Sequence, residues 1–348
     1  MPRHLTPLST EAQWYSQFID VGLQDARALV LSQYAGLLGE RGLPVIFSFH
    51  HLCMLLGVTP NYLASVVFSP QSHYRSFSIP KRSGGEREIV APYPMLLQCQ
   101  RWICEHILGK AKINRAAHGY VVGRGIVSNA SRHLGNQVLL KIDLKDFFPS
   151  IPIGRIINYF RSIGYVPEIA YFLASVCCLD EALPQGAATS PTLGNIILRQ
   201  MDRRLVGLSK KHSVTFTRYA DDLAFSGDAI SSQFIESVEQ IIDEDGFSIN
   251  PEKKLLISAN RRKILAGIDI TSGKSRVPRE FRRQTRLDAH LAMKFGPVEY
   301  ILQRRRIHNP LLVLAGKLAY WLQVEPENDY ALMAFEKIRG MCRGDRDN

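Results

Sequence analysis

The 348-residue chain is 46% hydrophobic and 22% charged with a net charge of +11, the make-up of an ordinary globular protein with a basic bias. No apolar run reaches the roughly 18–20 residues of a membrane span. The start, Met-Pro-Arg-His-Leu-Thr-Pro, lacks the apolar core of a secretory signal, so no membrane contact and a cytoplasmic location are expected. The six cysteines form no Cys-x-x-Cys pair, which argues against a zinc knuckle or dithiol redox motif. Residues 261–306 hold thirteen Lys/Arg against four Asp/Glu, +9 of the total, which is the footprint of a nucleic-acid ligand.

In chain order, residues 10–70 have helical apolar spacing, with Gly57 and Pro60 as stop signals. Residues 76–94 read as a hairpin: Phe77 and Ile79 precede Gly84-Gly85, and Glu88-Ile-Val follow. Lys81 and Arg87 flank that turn and could both reach a phosphate, Arg87 as a fork and Lys81 as a point charge. An amphipathic helix is expected over 96–108. His118-Gly-Tyr-Val-Val-Gly-Arg-Gly then brings Arg124 on a glycine-rich stretch that lacks a Walker pattern.

Val138-Leu-Leu-Lys-Ile is a compact strand with Asp143 at its C-terminal end, and Asp146 is a rival carboxylate three residues on. Leu183-Pro-Gln-Gly-Ala-Ala-Thr-Ser-Pro leads into a helix starting at Ser190-Pro191. Val214 to Ala220 then alternate as a strand, and Leu223-Ala-Phe starts the return, so Asp221 and Asp222 fall at a hairpin turn. Adjacent carboxylates repel, and a hard divalent cation such as Mg²⁺ would neutralise them; a plain polar turn is the bland alternative. A helix over 231–245, a strand at Phe247-Ser-Ile and a basic helical C-terminal region from about 270 complete an α+β reading.

Six of these segments, in order from about 76 to 267, resemble a bacterial retron-type reverse transcriptase. They are Ile-Pro-Lys-Arg-Ser-Gly-Gly-Glu-Arg, Gln100-Arg-Trp-Ile, His118-Gly-Tyr, Asp143-Leu-Lys-Asp-Phe-Phe-Pro-Ser-Ile, Leu183-Pro-Gln-Gly-Ala-Ala-Thr-Ser-Pro and Tyr219-Ala-Asp-Asp. Asn129-Ala-Ser-Arg-His133 carries the Asn-Ala-x-x-His pattern of retron enzymes, while Leu265-Ala-Gly267 keeps only the glycine of the family's Val-Thr-Gly. The bare alternative for Asn129 and His133 is a helix cap and a polar surface residue.

The resemblance implies a right-hand polymerase with fingers, an RRM-like antiparallel palm sheet and a helical thumb. The expected divisions are an N-terminal helical segment (1–75), fingers (76–135), palm (136–268, with a fingers-like insertion around 155–183) and basic thumb (269–348). It implies that Asp143, Asp221 and Asp222, with a main-chain carbonyl near Leu144, bind two Mg²⁺ ions. Lys81, Arg87, Gln185, Gly186 and Lys253 would contact the incoming deoxynucleoside triphosphate, with Lys254 competing for the last role. Phe148 would exclude a 2′-hydroxyl, Tyr219 would brace the primer end and Arg124 would meet primer or template. Asn129 and His133 would serve recognition of a dedicated structured non-coding RNA. That RNA would be copied into DNA joined to it through a 2′-hydroxyl, with a separate effector protein in phage defence. A group II intron-like or other defence-associated enzyme, or an inactive RNA-binding scaffold, are the alternatives.

Overall fold

The computed structural model describes residues 10–80 and 85–344. Helices α1 (Glu11–Asp20), α2 (Asp25–Glu40), α3 (Phe49–Leu56) and α4 (Pro60–Phe68) come first, followed by strands β1 (Tyr74–Pro80) and β2 (Glu86–Pro92) and by α5 (Pro94–His106). After α6 (Ile126–Ser131) come β3 (Val138–Asp143), α7 (Ile153–Ser162), α8 (Pro167–Cys177), α9 (Ser190–Ile197) and α10 (Arg199–Lys211). The β4 (Thr215–Tyr219) and β5 (Asp222–Gly227) pair precedes α11 (Ser232–Glu244), β6 (Leu255–Ile257), β7 (Ile264–Leu265) and β8 (Ile268–Asp269). Three helices close the chain: α12 (Arg279–Gln303), α13 (Pro310–Val324) and α14 (Asp329–Gly344).

Packing divides these elements into two compact units. One gathers Met1–Arg115, Leu144–Arg204 and Ile241–Ser248; the other gathers Ala116–Asp143, Leu205–Gln240 and Ile249–Asn348. The first contains the N-terminal helices, whose ends follow local chemistry. Thr10 caps α1 in a reciprocal capping box with Gln13, Ser48 caps α3, and Gly57 ends α3 at φ +69. Buried Gln100 on α5 ties this unit together, donating to Tyr74 Oη and the Val176 carbonyl and accepting from the Ala188 amide. The β1–β2 hairpin runs in register from Tyr74↔Pro92 to Pro80↔Glu86.

The second unit is built on a four-stranded antiparallel sheet of order β4-β5-β3-β6. The α+β expectation is met, with one shift. The strand expected at 247–249 forms instead at β6, because Asn250 turns the chain first. Its amide donates to the Asp143 carbonyl, and its side chain accepts from Glu252 in the short 3-10 turn Pro251–Lys253. The last three helices share one apolar core with the sheet, containing Leu139, Ala224, Ile257, Leu318 and fully buried Trp321. Helix α12 breaks at Gly296 (φ +86) just before Pro297, as a chain losing a helical amide should. Among the described residues, no single helix is long and apolar enough to cross a membrane.

Candidate active site

The hairpin carrying Asp221 and Asp222 forms as its alternation predicts. Thr215 to Tyr219 pair with Ser226 to Asp222, leaving Ala220 and Asp221 as the turn. Ala220 adopts φ +58, the left-handed conformation that closes so tight a connection. On the other side of β5, β3 runs antiparallel and sets Asp143 opposite Asp222. The end of a strand and the turn of the neighbouring hairpin thus bring three carboxylates to one end of one sheet. Asp143 is 6% exposed, while Asp221 and Asp222 are half-buried.

The choice between Asp143 and Asp146 follows from the backbone. Asp146 is exposed, past the strand, in a left-handed conformation (φ +46), and its carbonyl accepts from Ser150. It is a turn residue. The two lysine candidates separate as clearly. Lys253 Nζ donates to both oxygens of Asp143, at 2.8 and 2.9 Å, whereas Lys254 pairs with Glu239. Lys253 is itself 57% exposed, so the pair is open to solvent on one side.

Electrostatics at this sheet end ask for positive charge. Burial pushes the Asp222 carboxyl above its ordinary range, the Asp221 charge adds to this and Asp143 adds further, while Lys141 and Lys253 oppose them. The hydrogen bond to Asp143 raises the Lys253 ammonium, burial opposes it, and all three carboxylates reinforce the rise. Among the described residues, no three side chains converge to enclose an ion as they stand; Asp143 turns both oxygens to Lys253 instead. The donor set nevertheless fits a hard divalent cation: it is all carboxylate oxygen, partly desolvated and under mutual repulsion.

Lys141 was not anticipated, although the two-residue strand period puts it on the Asp143 face of β3. Arg218 was not anticipated either, and it is fully buried in β4. Thr217 and Arg218 are buried on opposite faces of that strand, where alternation alone predicts one covered face.

The segment before β3 turns two of its polar side chains into the second unit, while Ser131 and Arg132 stay exposed. Asn129 and His133 are each 1% exposed. His133 Nδ1 lies 2.6 Å from Ser226 Oγ and Nε2 lies 2.6 Å from Thr217 Oγ1, bracketing β5 and β4, and Asn136 Nδ2 donates to the same Ser226 oxygen. Burial pushes the His133 imidazole down to about 3, so it is neutral at ordinary pH. This corrects the surface-residue alternative for His133. Asn129 is likewise no cap: it sits within α6, and its buried Oδ1 has no hydrogen-bond partner among the described residues. Nearby, His118 faces Ser128 Oγ at 2.8 Å and is pushed down to about 4 by burial, helped by Arg124 and Arg132. Arg124 donates to the Ala117 carbonyl at 2.7 Å, folding the glycine-rich stretch back on itself. Half-buried Tyr219 stands opposite Asp222.

In the first unit, the Val90 amide donates to the Gln185 carbonyl at 3.0 Å. A Cβ on Gly186 (φ +139) would stand 2.5 Å from the Val90 oxygen. The Pro-Gln-Gly loop is therefore fastened to β2, the strand that carries Arg87. Lys81 and the Arg87 side chain lie outside the described residues. Leu144 is buried, and half-buried Phe148 packs on Phe147 with ring centres 4.9 Å apart. The hairpin in place of Val-Thr-Gly turns at Ala266 (φ +46) and Gly267 (φ +82) between β7 and β8.

Among known families, that of reverse transcriptases (RNA-dependent DNA polymerases) matches residues 79–279. The retron Mx65 reverse transcriptase of Myxococcus xanthus is 34% identical over 329 residues, covering 87% of this chain and 74% of that protein. The retron Mx162 enzyme of the same organism is 31% identical over 333 residues (84% and 67%). The retron Ec86 reverse transcriptase of Escherichia coli is 30% identical over 253 residues (72% and 79%).

Proposed function

The chain belongs to the reverse transcriptase family, in its retron type, and is an RNA-directed DNA polymerase of α+β fold; on that premise we propose that it copies a dedicated structured RNA into DNA joined to that RNA. An RNA template and deoxynucleoside triphosphates are its substrates as a family member. In this reading synthesis starts from a 2′-hydroxyl of the RNA, and a separate effector protein works with the enzyme in phage defence. The retron motifs at Asn129–His133 and the basic stretch 261–306 support it.

One observation carries the catalytic part: Asp143 stands opposite Asp222 across β3 and β5, one residue from the turn that holds Asp221, with Lys253 on Asp143. In our reading Asp143, Asp221 and Asp222 hold two Mg²⁺ ions, with the Leu144 carbonyl as a further donor. Such ions, when bound, supply activation of the attacking hydroxyl and charge stabilisation of the departing pyrophosphate. The remaining work is positioning. Lys253, which holds both oxygens of Asp143, presents its ammonium for the triphosphate once a cation takes its place. Lys81, Arg87, Gln185 and Gly186 are assigned to nucleotide binding, and Phe148 to exclusion of the ribose 2′-hydroxyl. Tyr219, beside the turn, braces the primer end, and Arg124 shapes a loop meeting primer or template.

Asn129 and His133, being buried, serve RNA recognition by fixing α6 against the sheet rather than by touching RNA. The C-terminal helices grip the template–product duplex through its phosphates. Exposed Arg305 and Arg306 suit that task better than Arg304 and Lys317, which are already drawn onto buried Asp288.

Primer extension on an RNA template with Mg²⁺ and deoxynucleotides tests the catalytic reading, and Asp221→Ala with Asp222→Ala should abolish it. Full activity in that double variant would overturn the site. The retron reading is tested on RNA copurified from cells: DNA should stay attached through phenol extraction and be released by a debranching enzyme. RNA free of attached DNA would sink it.

A further inference from the structure

The hairpin that carries Asp221 turns through Ala220 in a conformation that residues with a Cβ rarely adopt (φ +58). Such a turn persists only where its surroundings over-determine it. Two features do so here. Arg218, fully buried, donates from Nη1 to the Ala220 carbonyl at 2.9 Å. A guanidinium keeps its charge, and burying one is costly unless it is paired and hydrogen-bonded. The Arg218 main chain is fixed in turn by the segment before the glycine-rich loop. Its amide donates to the Ala116 carbonyl, and the His118 amide donates to its carbonyl, each at 2.7 Å, a parallel bridge along the edge of β4.

The next residue of that segment, Gly119, lies directly against the turn. A Cβ there would stand 2.6 Å from the Ala220 nitrogen and 3.2 Å from the Tyr219 carbonyl carbon. Both are backbone atoms that cannot swing away, so no other residue fits without moving the turn. The Ala220 backbone is thus held at its carbonyl by a charged donor and met at its nitrogen by the bare backbone of Gly119.

We propose that Arg218 and Gly119 are the positioning residues for Asp221: together they fix the turn from which its carboxylate projects, and so set how tightly the sheet-end carboxylates hold a divalent cation. This rests on the reading of Asp221 as a cation ligand. A merely structural Arg218 would affect folding and leave cation affinity alone. A positioning Arg218 changes cation affinity in protein that remains folded.

The test uses the full chain with Arg218→Met, Arg218→Lys and Gly119→Ala, and Asp221→Asn as reference. Manganese binding is read from the spin-resonance signal of free Mn²⁺, independently of catalysis. It is compared with the half-saturating Mg²⁺ in primer extension, with RNA binding and with the thermal midpoint. Arg218→Met and Gly119→Ala should weaken Mn²⁺ binding and raise the half-saturating Mg²⁺ together, by about 10-fold or more, as when a group orienting a ligand is lost. RNA binding should be unchanged, and Arg218→Lys should fall between. Wild-type Mn²⁺ binding by folded Arg218→Met or Gly119→Ala, where Asp221→Asn has lost it, overturns the positioning role alone. Wild-type binding by Asp221→Asn overturns the ligand reading and this proposal with it. Should Arg218→Met not fold, Gly119→Ala decides, since it removes no charge.

Discussion

Lys253 grips Asp143 with one ammonium and both carboxylate oxygens, at 2.8 and 2.9 Å, across 110 residues of sequence. The pair neutralises the most buried of the three carboxylates and puts a lysine where a divalent cation would also be drawn. On the proposed reading, Lys253 competes with a cation for Asp143 and, once displaced, is at hand for a phosphate. Replacing it by Met should tighten Mn²⁺ binding by the protein alone, while lowering kcat/KM for deoxynucleotides by about 10²-fold, the usual cost of losing a donor at developing charge. Lys254→Met, which removes a partner of Glu239, should change neither. Titration with Mn²⁺ and steady-state extension on both variants check this; equal effects of the two lysines would refute it.

Phe148 follows Asp143 by five residues, and its ring rests against Phe147. Phe148→Ala should raise the use of ribonucleotides relative to deoxynucleotides by about tenfold or more, the scale on which a pocket loses discrimination when a steric wall is removed. The measurement is the ratio of kcat/KM for the two nucleotide types. An unchanged ratio would take Phe148 out of that role.

His133 makes stability depend on pH with a definite sign. Its imidazole has an ordinary value of 6.5 and is pushed down to about 3 by burial, so between those values the unfolded chain binds a proton that the folded chain refuses. Stability is therefore lost as pH falls below about 6.5 and levels off near 3. At pH 5 the loss from this one group is roughly 2 kcal/mol. His118, pushed down to about 4, adds a loss of the same sign. Chemical denaturation of His133→Gln at pH 7.5 and pH 5 should show a shallower fall than the wild type, although its absolute stability is lower. Parallel profiles would show that the histidine is charged inside.

Gly186 combines a φ of +139 with the Val90 carbonyl 2.5 Å from where a Cβ would stand. Gly186→Ala should destabilise the first unit by about 2 kcal/mol from backbone strain, before any cost of shifting β2. It should also raise KM for deoxynucleotides, since the loop and β2 move together. Thermal unfolding with nucleotide kinetics reads both. A normal midpoint with normal KM would mean that the loop relaxes freely.

Much of this was legible in the sequence, because strands and tight turns are local. Alternation over 214–220, the return at Leu223 and the strand ending at Asp143 place three aspartates without knowledge of any distant contact. The end of α3 at Gly57 and the helix at Ser190-Pro191 are equally local. The strand after α11 was misplaced because Asn250 spends its hydrogen bonds on Asp143 and Glu252, and a partner 107 residues away leaves no mark on local pattern.

What the sequence by itself determined, then, is local: a strand ending at Asp143, a hairpin turn carrying Asp221 and Asp222, and the ordered motifs around them. Only the tertiary structure decided that Lys253, not Lys254, closes on Asp143, that His133 is an interior bracket between β4 and β5, and that Arg218 lies fully buried beneath the turn. The physical reason is the same in each case. A polar or charged side chain reads as exposed until a remote segment supplies its partner, and burial is decided by those partners rather than by its neighbours in the chain.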